Sequence, residues 1–553
     1  MKKNESHLKY QPEWGARSVE PIPECSIFDL CVNEPAKKYP QKTAIMNYGR
    51  NCSYGEIEEL TNRFGNALIG LGINKGDRVI TLLPNCLQTF IAFYGITKAG
   101  AISVPCNVMY KGEELTYQVK DSGAKSIVVL DKLYPVVKSI QDEVKFDNVI
   151  VTSLMDYCDA GFYFHEKLRS MLISEKRVIP PGTLDFDKLI KENSAKAPAI
   201  HVASKEDPAM ILYTSGTTGV PKGAIMTHYN FCSTRMLPSI MGMWEEDVHI
   251  LVFPMFHVAG YCFHMQGLAC GATVIPIALF DPEEMMKLIE KNRVTILFAP
   301  PTVFIAMISH PDFTKHDLSS IRIAVGCGGP TPPALQERWG KIVGKPLHNG
   351  YGCTETSGTA PGILPMPNRP SPKLGSMGVT NWEIKIVDEN GNIVPRRTVG
   401  ELVHRGPGVA KGYWNKPEET KAQFTEDGWW HSGDAGYMAE DDNIFFEHRI
   451  KDLIVCSGYN VSPVEIENIL YKHEAVKEVC VYGIPDKYRG ESAKALITLK
   501  EKYEGKITDK GIIEWCKGQM AAFKVPKVVE FGNIPKTASG KMLRYLLQER
   551  DKA

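Results

Sequence analysis

Residues 53–105, SYGEIEELTNRFGNALIGLGINKGDRVITLLPNCLQTFIAFYGITKAGAISVP, decide the fold class. The stretch opens on Ser53 and Glu56, spaced as a capping box in which serine and glutamate answer each other's open backbone donors. Ile57, Leu60, Phe64, Leu68 and Leu71 follow at helical spacing, and Gly72 can end the helix. Residues 78–83 read as a strand, 86–98 as a second helix closed by Gly100, and 102–105 as another strand. A further short apolar strand is expected at 126–130. Strand, helix, strand in this rhythm implies a parallel sheet covered by helices on both faces, the α/β class.

Working outward, 553 residues are too many for one ordinary core, so two or more domains are expected. Lysine plus arginine total 64 against 64 acidic residues, which gives no bulk electrostatic reason to bind nucleic acid or an anionic membrane. Fourteen cysteines are scattered without a Cys-x-x-Cys pair, the usage of reduced thiols in a cytoplasmic protein. The N-terminus has two lysines and no apolar run behind them, so no secretory signal is expected. Residues 248–280 contain no Asp, Glu, Lys or Arg and are long enough to span a bilayer. Prolines, glycines and histidines interrupt them, however. They read better as a buried strand (249–253), helix (258–269) and strand (272–277), so no transmembrane segment is expected.

From Arg449 the character changes. A helix at 462–470, strands at 476–482 and 493–499 and a helix near 512–520 suffice for a small α+β domain. The expected division is 1–448, a hinge at 449–452, and 453–553. Residues 388–392 carry Asn-Gly between strand-like runs and read as a hairpin turn, without the ligand register of a calcium loop. Residues 151–200 are polar and poorly periodic, and no role is read from them.

The sharpest local signal is YTSGTTGVPKG, residues 213–223, entered from an apolar strand at 210–212. Thr214, Ser215, Gly216, Thr217, Thr218 and Gly219 can turn hydroxyls and backbone N–H groups towards phosphate, while Lys222 supplies a point charge. The loop is not a P-loop, because Pro221 precedes the lysine and Gly223 follows it.

With NGYGCTET (349–356), GCGGP (326–330), HSGDAGY (431–437), HRIKDLIVCSGYNVSP (448–463) and PKTASGK (535–541), the chain resembles the AMP-forming acyl-CoA synthetases of the adenylate-forming superfamily. The resemblance runs from the Ser53 region to Lys541, with the motifs in the family's order. It implies a large, multi-layered N-terminal domain, a small mobile C-terminal domain, and ATP, Mg2+ and coenzyme A in the reaction. Tyr351 would stack on adenine, with Asn349, Gly350 and Gly352 around it, Thr354 would contact phosphate, and Glu355 would hold the metal. Gly328, Gly329 and Pro330 would line the adenine. Asp434 would accept hydrogen bonds from the ribose hydroxyls, since a carboxylate suits a vicinal diol, and Arg449 would add a ribose contact. Lys451 falls at the pivot. Lys541, with Lys222, would stabilise the charge that develops in adenylation. His257, Val258, Gly326, Cys327, Ser457, Gly458 and Tyr459 would border the acyl and pantetheine channels. Each residue also has a plainer reading: Glu355 as a solvated loop acid, His257 as a satisfied core histidine, Arg449 and Asp452 as a surface ion pair worth about 0–1 kcal/mol.

The implied reaction joins an acid to ATP as acyl-AMP and then passes the acyl group to the CoA thiol. Small residues at 326–328 and an apolar wall at 257–263 favour a medium- or long-chain aliphatic acid over acetate, and an aryl acid fits nearly as well. A carrier protein as acceptor, luciferase-like oxygenation, a non-catalytic nucleotide sensor and homodimer formation stay open at this point.

Overall fold

The computed structural model describes residues 22–214, 221–235, 241–358, 373–378, 383–457, 459–537 and 540–552. The first of two seven-stranded sheets is ordered Leu184–Asp185, Asn148–Thr152, Ser126–Leu130, Arg78–Leu82, Ile102–Pro105, Pro208–Thr214, Lys222–Thr227. It is parallel until its last two strands, which pair antiparallel. The second runs Leu347–Asn349, Ile323–Gly326, Ile296–Ala299, Val248–Leu251, Thr273–Pro276, Thr43–Asn47, Arg50–Ser53, again parallel except for its final hairpin.

The helix read from Ile57 to Leu71 spans Tyr54–Gly70. Ser53 Oγ caps it by accepting from the Glu56 N–H at 3.2 Å. The capping box closes on that side alone, because Arg50 engages the Glu56 carboxylate. Helix Leu87–Lys98 is buried along its whole length. Lys98 is satisfied there by Asn62 Oδ1 at 2.6 Å, and burial brings its pKa down to about 8. The charge-free run becomes strand Val248–Leu251, helix Val258–Cys270 and strand Thr273–Pro276. That helix packs on Leu87–Lys98 through Phe93 against Tyr261 (ring centroids 4.7 Å) and Tyr94 Oη to His264 Nε2 (3.2 Å). One core joins both helices to strands of both sheets. A helix apolar on every side is therefore a core helix here, and no described helix is long and apolar enough to cross a membrane.

A third sheet is five-stranded and antiparallel: Ser376–Gly378, Ile444–Arg449, Trp430–Met438, Gly400–Arg405, Glu383–Val387. At its edge the turn expected at 388–392 forms, with Asp388 Oδ1 accepting from the N–H groups of Asn390 and Asn392 at 2.9 Å each. The fourth sheet pairs Val476–Asp486 with Gly490–Leu499 and adds Ile454–Cys456, Tyr459–Val461 and Val528–Phe531. Helices Pro463–Leu470 and Asp509–Lys517 cover it around a hydrophobic cluster of its own.

Candidate active site

Strands Pro208–Thr214 and Lys222–Thr227 form a hairpin in which Thr214 stands opposite Lys222. Ser215, Gly216, Thr217, Thr218 and Gly219 lie outside the described residues. Residues 411–414 extend the hairpin on its far side. Trp414 N–H donates to Gly223 O at 2.7 Å, Ile225 N–H to Gly412 O at 2.9 Å, and Tyr413 bridges Ala224. This register places the Tyr413 ring under the Lys222 ammonium, 5.2 Å from ring centroid to Nζ. The Tyr413 hydroxyl is shared between Glu355 Oε1 at 2.8 Å and Gln423 Oε1. Burial and the Glu355 carboxylate push that phenol far up. Tyr413 thus links Lys222 to Glu355, a connection no local pattern announced.

Glu355 sits in the short turn Thr354–Thr356, which Thr354 opens, and its carbonyl accepts from the Ala410 N–H at 2.8 Å. Among the described residues no group of three or more His, Cys, Asp or Glu side chains could hold a metal. A single carboxylate suits Mg2+, which takes one or two protein oxygens and completes its shell with phosphate and water.

Asp434 and Arg449 are directly paired across neighbouring strands of the third sheet. Arg449 Nε lies 3.3 Å from Asp434 Oδ1, and the Tyr351 hydroxyl donates to Oδ2 at 2.7 Å. Burial, with the Asp434 carboxylate, raises the Tyr351 phenol well above its ordinary range. Cys353 Sγ is 3.5 Å from the same hydroxyl. Asn349 is a latch: its Oδ1 accepts from the Thr331 N–H at 3.2 Å and its amide donates to Gly375 O at 3.4 Å, which fixes the loop carrying Gly328, Gly329 and Pro330. Gly328 has φ +80°, and a side chain there would sit 3.2 Å from the Phe253 ring. Gly350 and Gly352 are positions of close approach, to Val325 at 2.8 Å and to Gly358 O at 2.5 Å from where a Cβ would be.

Lys541 ends a tight turn in which its N–H donates to Thr537 Oγ1 at 3.0 Å and its carbonyl accepts from the Thr537 N–H at 2.8 Å. Gly540, at φ +80°, lets this turn press against the start of helix Pro301–Ser309. A Cβ there would stand 2.8 Å from Thr302 Oγ1. The Lys541 ammonium is brought down to about 8, first by the Arg449 guanidinium and then by burial, with Asp434 pulling the other way. His257 is held near 4 by burial and by the Lys541 charge, so its imidazole is neutral at pH 7. Its Nδ1 accepts from the Ala259 N–H at 3.2 Å, and its ring stacks on Phe253. The structure therefore gathers Lys541, Arg449, Asp434, Tyr351 and His257 into one site from across almost 300 residues of sequence.

The remaining pocket candidates separate. Val258 and Cys327 are 2% and 6% exposed and pack into core clusters. Thr331 fills the space beside Gly326, 2.3 Å from where a Cβ would stand, so that glycine opens no pocket floor. Ser457, at φ +52°, and Tyr459, stacked on Phe523 at 4.5 Å, lie exposed on the fourth sheet, and Gly458 lies outside the described residues.

The expected pivot is bounded by two opposed anchors. Arg449 is tied back to Asp434 in the third sheet. Asp452 is tied forward to Arg544 at 2.8 Å, and Arg544 also holds Glu467 at 2.6 Å and donates to Val481 O at 2.7 Å. The surface pair between Arg449 and Asp452 is replaced by these two bonds. Between them lies only a 3-10 turn, Ile450–Asp452, with Lys451 exposed.

The AMP-binding enzyme family matches residues 32–414, and the C-terminal domain of AMP-binding enzymes matches residues 465–541. The chain belongs to this family. Within it the chain is an AMP-forming acid–thiol ligase of the acyl-CoA synthetase class, with ATP and CoA as substrates. It is 34% identical over 547 residues to a long-chain-fatty-acid–CoA ligase of Bacillus subtilis, covering 96% of this chain and 95% of the relative. The structure resembles that of the anthranilate CoA ligase AuaEII in complex with anthranoyl-AMP (TM-score 0.85, 28% identity, 96% and 98% coverage). It also resembles a benzoate CoA ligase from Burkholderia xenovorans LB400 (TM-score 0.81, 25% identity, 95% and 100% coverage).

Proposed function

We propose that this enzyme activates a medium- or long-chain fatty acid in the cytoplasm, with Lys541 as the adenylation catalyst and residues 450–451 as the pivot between half-reactions. The observation that carries the reading is the Arg449–Asp434 pair at 3.3 Å, joined by the Tyr351 hydroxyl, with the buried Lys541 ammonium within electrostatic reach of both charges. That is a site short of negative charge, and a nucleoside triphosphate supplies it. Asp434 and Arg449 hold the ribose beside Tyr351. Lys222 faces the phosphates from the hairpin, and Lys541 reaches the α-phosphate from the small sheet. The substrate carboxylate attacks the α-phosphorus, the bond to pyrophosphate breaks, and the preorganised ammonium groups take up the charge that develops. Glu355, positioned by Tyr413, would hold Mg2+, which supplies charge neutralisation on the phosphate oxygens.

In the second half-reaction the CoA thiol attacks the acyl carbonyl and AMP leaves, so no protein nucleophile is needed. With a pKa near 4, His257 is a poor proton acceptor at pH 7 and serves better as a neutral hydrogen-bonding wall. The relative named for long-chain fatty acids supports the aliphatic acid. The structural resemblance to anthranilate and benzoate ligases keeps an aryl acid as the second reading. A panel of straight-chain acids from acetate to stearate, with benzoate and anthranilate, assayed for CoA-dependent AMP release decides between them. A kcat/KM maximum on an aryl acid would overturn the fatty-acid reading.

A further inference from the structure

All fourteen cysteines are free thiols, and among the described residues two of them, Cys25 and Cys232, stand in mutual contact, Sγ to Sγ at 3.9 Å. They are 207 residues apart in sequence. Cys232 ends the short helix His228–Cys232, which follows strand Lys222–Thr227. The segment around Cys25 is fastened to that helix on either side of the thiol. Ile27 N–H donates to His228 Nδ1 at 3.3 Å, and the Phe28 ring meets His228 edge-on at 6.0 Å. Glu24 pairs with Lys205, whose ammonium lies 5.0 Å from the Tyr229 ring centroid. Ile27, Leu30, Phe231 and Cys232 share one core cluster. Both backbones are therefore fixed, and the sulfurs need to approach by about 2 Å to reach bonding distance, within reach of side-chain rotation.

The two thiols are unequal. Cys25 is half-buried and open to small solutes, whereas Cys232 is fully buried. The Cys232 S–H has two acceptors on Cys25, the carbonyl oxygen at 3.3 Å and the sulfur at 3.9 Å. This contact holds the Cys25 thiol below its ordinary range, against burial and the Asp29 and Glu34 carboxylates, and Cys232 is pushed far up. Cys25 is thus the sulfur that reacts first, and Cys232 the one placed to resolve it. The same two carboxylates repel an anionic oxidant such as glutathione disulfide, so a small neutral one suits the site.

We propose that Cys25 and Cys232 are an oxidation site at which hydrogen peroxide forms a reversible disulfide, stapling the segment around Cys25 to the helix behind the Lys222 strand. The deprotonated Cys25 sulfur attacks one peroxide oxygen and the O–O bond breaks. The departing hydroxide takes up the proton that Cys25 lost and leaves as water, with sulfenic acid left on Cys25. The Cys232 sulfur then attacks the sulfenic sulfur, the S–O bond breaks, and the hydroxyl leaves as a second water with the Cys232 proton. The thiol pair is oxidised by two electrons and peroxide is reduced to water. A dithiol reverses the bond by exchange and is itself oxidised. Disulfides of this transient kind are the ones that reducing compartments permit. The inference does not rest on the fatty-acid reading.

The test uses the full-length enzyme, reduced, desalted and treated with equimolar hydrogen peroxide. Non-reducing peptide mass spectrometry, with fragmentation to tell Cys25 from Cys31, reads the link, and a thiol titration under denaturing conditions counts the loss. The expected result is a Cys25–Cys232 peptide, two thiols lost from fourteen, and full recovery with dithiothreitol. Closing so long a loop should raise the melting temperature of the oxidised enzyme by about 3 °C or more, with no such rise in Cys25→Ser. In Cys232→Ser, peroxide should leave a sulfenic acid on Cys25 that dimedone traps. A link from Cys232 to Cys31, or Cys25 recovered as sulfinic acid with Cys232 still reduced, would overturn the pair. An oxidised enzyme that melts no higher than the reduced one would overturn the staple. Dimedone labelling absent from Cys25 in a folded Cys232→Ser enzyme would overturn the order of attack.

Discussion

Replacing Tyr413 by phenylalanine removes one oxygen atom and keeps the ring on which the Lys222 ammonium rests. The lost interaction is the 2.8 Å hydrogen bond to the Glu355 carboxylate. Hydrogen bonds to charged groups contribute about 1.5–3 kcal/mol. Tyr413 is only 5% exposed, so solvent does little to screen the bond, but Gln423 shares the hydroxyl, which argues for the lower end. About 1.5 kcal/mol corresponds to roughly a tenfold change in an equilibrium constant. The expectation is a KM for Mg·ATP raised about tenfold in acid-dependent pyrophosphate exchange, with a small effect on kcat. If Tyr413 acts by holding Glu355, the same change should have almost no effect in a Glu355→Gln background, where the charged acceptor is already gone. Equal tenfold losses in both backgrounds would refute the coupling. An unchanged KM in Tyr413→Phe would show that Glu355 needs no such support.

Other outcomes follow from the same geometry. Lys541→Ala should lower adenylation by about 10²-fold or more, the scale of one transition-state donor. Preformed acyl-adenylate should still be converted with CoA; equal loss of both half-reactions would make the lysine structural. Because the Lys541 ammonium carries the charge and titrates near 8, kcat/KM for ATP in adenylation should be full below that pH and fall as pH rises through it. A flat profile to pH 9.5 would remove that assignment. Arg544→Met leaves Glu467 and Asp452 without their buried partner and should destabilise the small sheet by about 3 kcal/mol, read in thermal unfolding. Lys451→Pro fixes φ at the pivot and should spare pyrophosphate exchange while suppressing thioester formation. Normal thioester synthesis by the folded variant would sink rotation about this residue.

What the sequence made legible was what short-range pattern encodes. The helix at Tyr54–Gly70 and the three elements inside the charge-free run were readable because each is set by periodicity and local breakers over about a dozen residues. The third sheet was not. Its strand Trp430–Met438 contains Gly433 at φ +68° and Gly436, where Phe445 O leaves 2.2 Å for a Cβ, and these interrupt the alternation that signals a strand. Tyr413 escaped notice for a different reason: its carboxylate partner is 58 residues away, and nothing in Gly-Tyr-Trp announces a contact at that distance. Asp452 shows the converse error of locality. Arg449 is its near neighbour in sequence, yet the fold gives it Arg544, 92 residues on. The aromatic residues at 162–164 read as polar loop because their packing partner, Tyr48, comes from the opposite end of the first two hundred residues.

The same two ion pairs support the pivot proposed at residues 450–451. If Asp452 were bonded to Arg449, the 3-10 turn would be clamped on itself and rotation would have to break a pair. With Arg449 held by Asp434 and Asp452 held by Arg544, both charges travel with the body they belong to, and turning about residues 450–451 breaks neither. What the proposed rotation would break is the contact of the Gly540–Lys541 turn with Pro300 and Thr302, and the approach of the Lys541 ammonium to Arg449. That approach is repulsive in the absence of phosphate, since the guanidinium is the foremost cause of the lowered lysine pKa. A bound triphosphate turns the repulsion into shared attraction, and departure of pyrophosphate removes two of the three phosphates that sustain it. On the proposed mechanism the small sheet would be held most firmly while adenylation needs Lys541 and most loosely once the adenylate is made, so the electrostatics of the site would favour release at the step where the thiol must enter.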